Sequence, residues 1–218
     1  MSPSYSLEES AAQQFGFDGK LVRLHLPEGP VTITVHVDEQ EHLRRCEAQV
    51  GPFTDRRDIA ALWHLPIGIS VPASHIPASS VPRLARMGNA VRFEGESLTR
   101  RIQPPTRVTG ALAVGRNPRS LLRRVCQLSA VAPRGIIVRA AVDSDDAGLL
   151  NAALFRVGVM HNSAGGLETL CLPGPVRPHP SRFLWWVCEL AYADLISSGL
   201  LASPRPPLGG AHPSAAQL

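Results

Sequence analysis

Twelve arginines share residues 83–139 with two carboxylates, Glu94 and Glu96. Residues 1–82 carry 6 basic and 10 acidic side chains, and residues 140–218 carry 4 and 6. The formal net charge of +4 therefore conceals −4, +10 and −2 along the chain. A guanidinium donates through a planar fork that matches phosphate oxygens and guanine edges. Twelve of them repel one another unless solvent, internal acids or a polyanion screens the charge. Such a block is the electrostatic footprint of a nucleic-acid surface. The bland counterpart is a solvated face, or pairing with the acidic N-terminal third. Lysine occurs once, at Lys20, so chemistry that requires a lysine uses that residue or is absent.

Other reactive side chains offer less. Asp143, Asp145 and Asp146 resemble a metal cluster, but they precede an apolar run and suit a helix N-terminus, where negative charge complements the dipole. Glu189 lies in an apolar stretch beside Trp185, Trp186 and Cys188; a carboxylate there needs a partner, and an Arg contact is expected. His25, His36 and His42 fit no metal spacing and are expected on a strand or loop surface, with His64 at a core edge. Cys46, Cys126, Cys171 and Cys188 are scattered, with no CxxC pair, and are expected as free thiols. No phosphate-cradling glycine loop and no nucleophile elbow occurs.

The elements that must position these groups can be sketched from periodicity. The 218 residues, 44% apolar and 18% charged, suffice for one large domain or two small ones. Residues 1–14 are expected to be disordered. Lys20–Leu26 and Val31–Val37 alternate apolar and polar around Pro27–Pro30 and predict a hairpin. Asp38–Val50 is charged and could form a helix. Arg57–Leu65 predicts a helix capped by Asp55 or Thr54, with Ile59, Leu62 and Trp63 on one face. Ser79–Met87 predicts a second helix with Ser80 as cap and Pro82 in its first turn. Residues 90–94 and 97–102 predict a hairpin about Gly95-Glu96.

After Pro104-Pro105 the pattern becomes β-α-β-α-β-β-α. Strand 107–114 precedes a helix capped by Asn117 with Pro118 in its first position. Strand 135–142 follows, then a helix capped by Asp143 or Ser144 and running to about residue 156, with Leu149, Leu150, Ala153 and Leu154 inward. Two short strands at 157–161 and 167–172 lead to a helix over 182–198, capped by Ser181 and stopped by Gly199. Residues 203–218 are expected as a disordered tail. The predicted fold class is mixed α/β. Its expected domains are a winged-helix-like α+β part over 15–103 and an α/β part over 106–200.

Residues 57–102 have the helix–helix–hairpin order of a winged helix-turn-helix, despite a long proline-rich link between the helices. In that motif the second helix enters the major groove and the wing touches backbone. Arg83 and Arg86 share a face of the would-be recognition helix; Arg92, Arg100 and Arg101 fall on the wing. Residues 107–198 resemble the distal half of the PD-(D/E)xK restriction-endonuclease-like superfamily. The resemblance rests on the element pattern: a strand, an Arg-bearing helix ending near Gln127, then RGIIVRAA, a capped helix and RVGVMHN. The family's acidic-x-Lys positions would fall near Ala113 and Gly115, which bind no metal and activate no water. The resemblance thus implies a degenerate, non-cutting member.

Together these features predict a non-catalytic nucleic-acid-binding protein, with DNA the expected partner over RNA: a regulator, antitoxin or accessory DNA-processing factor. Its expected nucleic-acid contacts are Arg83, Arg86, Arg92, Arg100, Arg101, Arg119, Arg123 and Arg124. No cofactor and no resident metal are expected. One rival is a magnesium-dependent nuclease with relocated carboxylates drawn from Asp143, Glu168 or Glu94. Another is a protein-interaction subunit. With no N-terminal basic-then-apolar segment, and with Glu189 and Asp194 in the most apolar run, neither export nor a membrane partner is expected, and the expected location is cytoplasmic.

Overall fold

Alternating apolar side chains over residues 20–37 turn Val22, Leu24, Leu26, Val31, Ile33 and Val35 of a hairpin into the main core, and in the second strand Thr32 and Thr34 on the other face are buried too. The computed structural model describes residues 6–140 and 147–204. In chain order the elements are α1 (Ser6–Phe15), β1 (Lys20–Leu26), β2 (Gly29–Val37), α2 (Glu39–Ala48), α3 (Arg56–Leu62), β3 (Ser70–Pro72), α4 (Val81–Ala85), β4 (Val91–Glu94), β5 (Ser97–Arg100), β6 (Thr106–Gly115), α5 (Pro118–Cys126), β7 (Arg134–Val138), α6 (Ala147–Leu154), β8 (Gly158–Ser163), β9 (Gly166–Cys171) and α7 (Arg182–Ser197). The main sheet has the order β1-β2-β6-β7-β8-β9. Strands β6, β7 and β8 are parallel, and the outer pairings are antiparallel.

Successive residues of β6 point to opposite faces, so two cores form. Ala111 and Ala113 join Val22, Ile33, Leu121, Val125, Cys188 and Leu195 beneath α5 and α7. Leu112 joins Ile137 and Met160 beneath Ala11, Ala12 and Phe15 of α1. A smaller sheet, order β3-β5-β4, packs with α3 and α4 around Ile59, Leu62, Leu84 and Leu98. Its core is completed by Trp185, contributed by α7.

Local signals are used as expected in several places. Asp55, Asn117 and Ser181 accept backbone N–H bonds at the starts of α3, α5 and α7, and Asp38, which no expectation had named as a cap, does the same for α2. Gly199, with φ 74°, follows α7. The long proline-rich link between α3 and α4 holds β3, which pairs with β5.

Five expectations need correction. Residues 6–14 belong to helix α1, because Ala11, Ala12 and Phe15 find an apolar sheet face to cover. Helix α4 spans Val81–Ala85 alone, and Ser80 makes no side-chain capping bond because its backbone is already helical. In α6 Leu149 packs against the main core as expected, but Gly148 and Ala152 are the buried residues, Ala153 is exposed, and Leu150 and Leu154 are 63% and 75% exposed. Trp63 lies 39% exposed against Trp185 rather than in the α3 core. The boundary near Pro104-Pro105 does not divide the sheet, since β2 pairs with β6 across it. Residues 38–105 are instead an excursion from that sheet. The expected caps Asp143 and Ser144, and most of the expected C-terminal tail, lie outside the described residues.

Candidate nucleic-acid interface

The eight singled-out arginines divide into engaged and free groups. Arg83 turns back onto α3, with its Nη1 at 2.6 Å from Asp58 and 3.1 Å from Asp55. Asp55 is held below its ordinary carboxylate range by the Arg57 backbone N–H, and further by Arg83. Arg92 meets Glu94 at 2.6 Å. Arg100 lies on the opposite face of the same hairpin, since it pairs with Val91 while Arg92 pairs with Thr99. Its guanidinium sits 4.6 Å over the Trp185 ring and donates to the Leu62 carbonyl at 3.3 Å. Burial pushes its pKa below the usual arginine range. Arg124 is half-buried, with its Nε shielded from water against the Gly29 backbone and without a hydrogen-bond partner among the described residues.

Arg86 and Arg101 are exposed on the small unit, and Arg119 and Arg123 are exposed on α5. No ion pair engages any of these four among the described residues. Arg119 and Arg123 are four apart and share one face of α5. Two further exposed arginines stand near that helix. Arg116 follows the last residue of β6, and Arg139 follows the last residue of β7. Gly115 and Val138 are register partners, and the Arg139 N–H donates to the Gly115 carbonyl at 2.7 Å. The carboxyl ends of adjacent parallel strands thus bring Arg116 and Arg139 together at the start of α5.

The central arginines therefore do not form one continuous surface. Arg107 lies at the other end of β6, roughly 30 Å from Arg116 at the usual rise per strand residue. Arg134 is buried, donating to the Phe155 carbonyl at 3.0 Å and to the Cys126 sulfur at 3.6 Å. It sits where α5 and α6 both end, so the negative poles of two helices offset its charge.

The remaining candidates are dispersed. Ala113 is buried in β6 and Gly115 closes that strand. Gln127 donates to the Arg124 carbonyl at the end of α5. Glu94 and Glu168 belong to different sheets, and Asp143, Asp145 and Asp146 lie outside the described residues. Among the described residues, no three His, Cys, Asp or Glu side chains gather as a metal site. His36 pairs with Asp18 at 2.8 Å, and His64 is exposed. His42, expected at the surface, is buried because its Nδ1 meets the Tyr192 hydroxyl at 2.9 Å. Cys171 donates to the adjacent Leu172 carbonyl. Burial pushes the Cys188 thiol up to about 12.

Glu189 has the expected arginine contact: Arg45, at 2.6 Å. The sequence reading missed Arg45 and also missed a cluster of Arg56, Arg182, Phe183 and Trp186. Spacing offered a hint for each, because Glu41 and Arg45 stand one helical turn apart, as do Arg182 and Trp186. No helix among the described residues is long and apolar enough to cross a membrane. No protein-family model, curated protein or solved structure matches the chain.

Proposed function

We propose that the chain is a non-catalytic DNA-binding protein, a regulator, antitoxin or accessory DNA-processing factor, that docks phosphates at the carboxyl edge of β6 and β7. The carrying observation is the group Arg116, Arg119, Arg123 and Arg139, exposed and free of ion pairs among the described residues. Ligands of open α/β sheets collect at the carboxyl ends of parallel strands. The positive pole of α5 adds to the same field. The order β6-α5-β7 supports a restriction-endonuclease-like reading, and Ala113 and Gly115 at the acidic-x-Lys positions support one without cleavage.

The strand order β3-β5-β4, with α3 and α4 beside it, supports a winged-helix reading of the small unit. Its electrostatics are poor for phosphate: Arg83 and Arg92 are tied to carboxylates, and the turn carries Glu94 and Glu96. Of the arginines expected on its second helix and wing, Arg86 and Arg101 are exposed and free of ion pairs among the described residues. Backbone contact is therefore assigned mainly to the α5 edge.

Binding to duplex DNA, measured across a salt series, tests this reading. Replacing Arg116, Arg119 and Arg123 with Gln should weaken binding on unrelated sequences alike. It should also lower the slope of log K against log salt by about 2.7, at about 0.9 per lost phosphate contact. An unchanged slope removes this edge from the interface.

A second reading, a protein-interaction subunit, is favoured by exposed Leu150, Leu154, Phe155, Leu170 and Leu172 near an open sheet edge. Nucleic-acid-free protein that elutes with a stoichiometric protein partner would support it over the first.

A further inference from the structure

Where α3 and α7 begin, the surface holds a cavity of about 140 Å³ walled by Arg56, Arg182, Phe183 and Trp186. The Arg56 guanidinium lies 3.9 Å over the Trp186 ring and 5.9 Å from the Phe183 ring. The two rings are 5.8 Å apart and tilted by 41°. The Trp186 indole N–H donates to the Thr54 carbonyl at 2.8 Å, which fixes the ring's orientation before any ligand arrives. Two acids stand close by in sequence, Asp55 and Asp58, but both are engaged by Arg83. Arg56 and Arg182 are thereby left without an ion pair among the described residues. The ion pairs that disqualify Arg83 as a DNA contact keep this neighbouring site cationic.

Two guanidinium groups without ion pairs among the described residues, one of them stacked on an anchored indole, suit a ligand that is anionic at one end and flat at the other. We infer that this pocket takes one unstacked nucleotide of a single-stranded segment. Its base would lie on the Arg56–Trp186–Phe183 stack, and its phosphate between Arg56 and Arg182. An acidic peptide would use the cations and leave the rings idle. A duplex would keep its bases out of reach. The inference rests on the nucleic-acid reading and adds a second contact, specific for exposed bases, away from the α5 edge.

The test compares three probes on the full chain: oligo(dT), an abasic strand of equal length, and a duplex. Trp186→Ala should weaken oligo(dT) binding about tenfold and leave the abasic strand unaffected, as expected for loss of one stacking platform. Trp186→Phe should restore most of that loss, which separates stacking from misfolding. Arg56→Ala with Arg182→Ala should weaken both single strands. Equal affinity of the native chain for oligo(dT) and the abasic strand would overturn the inference, as would tighter binding of a phosphotyrosyl peptide. If the duplex still responds to the α5 arginines while Trp186→Ala changes nothing, the pocket fails and the edge stands. If no nucleic acid binds, both fall.

Discussion

Arg45 is completely buried, yet it carries a full charge between two carboxylates. Its Nε donates to Glu41 at 2.9 Å, and its two terminal nitrogens donate to Glu189 at 2.6 and 2.9 Å. Burial alone would lower its pKa; Glu189 and Glu41 outweigh that and hold it above the ordinary arginine range. Glu41 also meets Arg44 at 2.7 Å, so two acids face two bases. Glu189 further accepts from the Trp185 indole and the Phe53 backbone N–H. Tyr192 lies 5.2 Å from the guanidinium, and burial pushes its hydroxyl up to about 12. Removing the cation would strand Glu189 without solvent or counter-charge. Arg45→Met should therefore cost about 3–5 kcal/mol in urea unfolding. A loss below about 1 kcal/mol would mean that water reaches the carboxylates once the arginine is gone. The chain itself flags Glu189 as a carboxylate in need of a partner, because it follows Trp185, Trp186 and Cys188 in an apolar run. It does not single out Arg45, which is 144 positions away.

At the scale of elements, helix α1 is seated by glycines on strands it does not adjoin in sequence. A side chain at Gly135 would collide with the Phe15 ring, and one at Gly110 with the Phe17 ring. Gly135 and Gly158 are register partners, so two neighbouring strands share the hollow that Phe15 fills. Gly135→Ala should lower stability by about 1–3 kcal/mol through overpacking, read as a shifted urea midpoint with an unchanged m-value. No shift would show that α1 can lift without loss. Helices with caps and a broad apolar stripe were legible: Asn117 and Ser181 announce α5 and α7. Helix α1 was not, because its inward face is largely alanine and its partner surface comes from distant glycines. The phase of α6 was hidden for a related reason. Leucines normally mark the buried face, but here Gly148 and Ala152 are its buried residues with Leu149 at its margin, while Leu150 and Leu154 are exposed.

At the scale of the molecule, one sheet draws strands from both sides of residues 38–105. A fragment spanning 106–200 would leave β6 without β2 and would expose Val108, Ala111 and Ala113. It should show no cooperative thermal transition by circular dichroism; a sharp transition would restore a domain boundary at Pro104-Pro105. That boundary looked natural because prolines and a change of pattern coincide there. Pairing between β2 and β6 leaves no local trace. The charge block was equally plain in sequence, whereas its division among ion pairs, ring stacking and open surface depends on contacts such as Arg83 with Asp58. Val37 and Thr106 are paired, and the Asp38 N–H donates to the Pro105 carbonyl, so the excursion leaves and returns at a single doorway. Such a unit can be swapped or deleted by closing that doorway with a tight turn, provided Trp185 and Glu189 are refitted for life without their tenant.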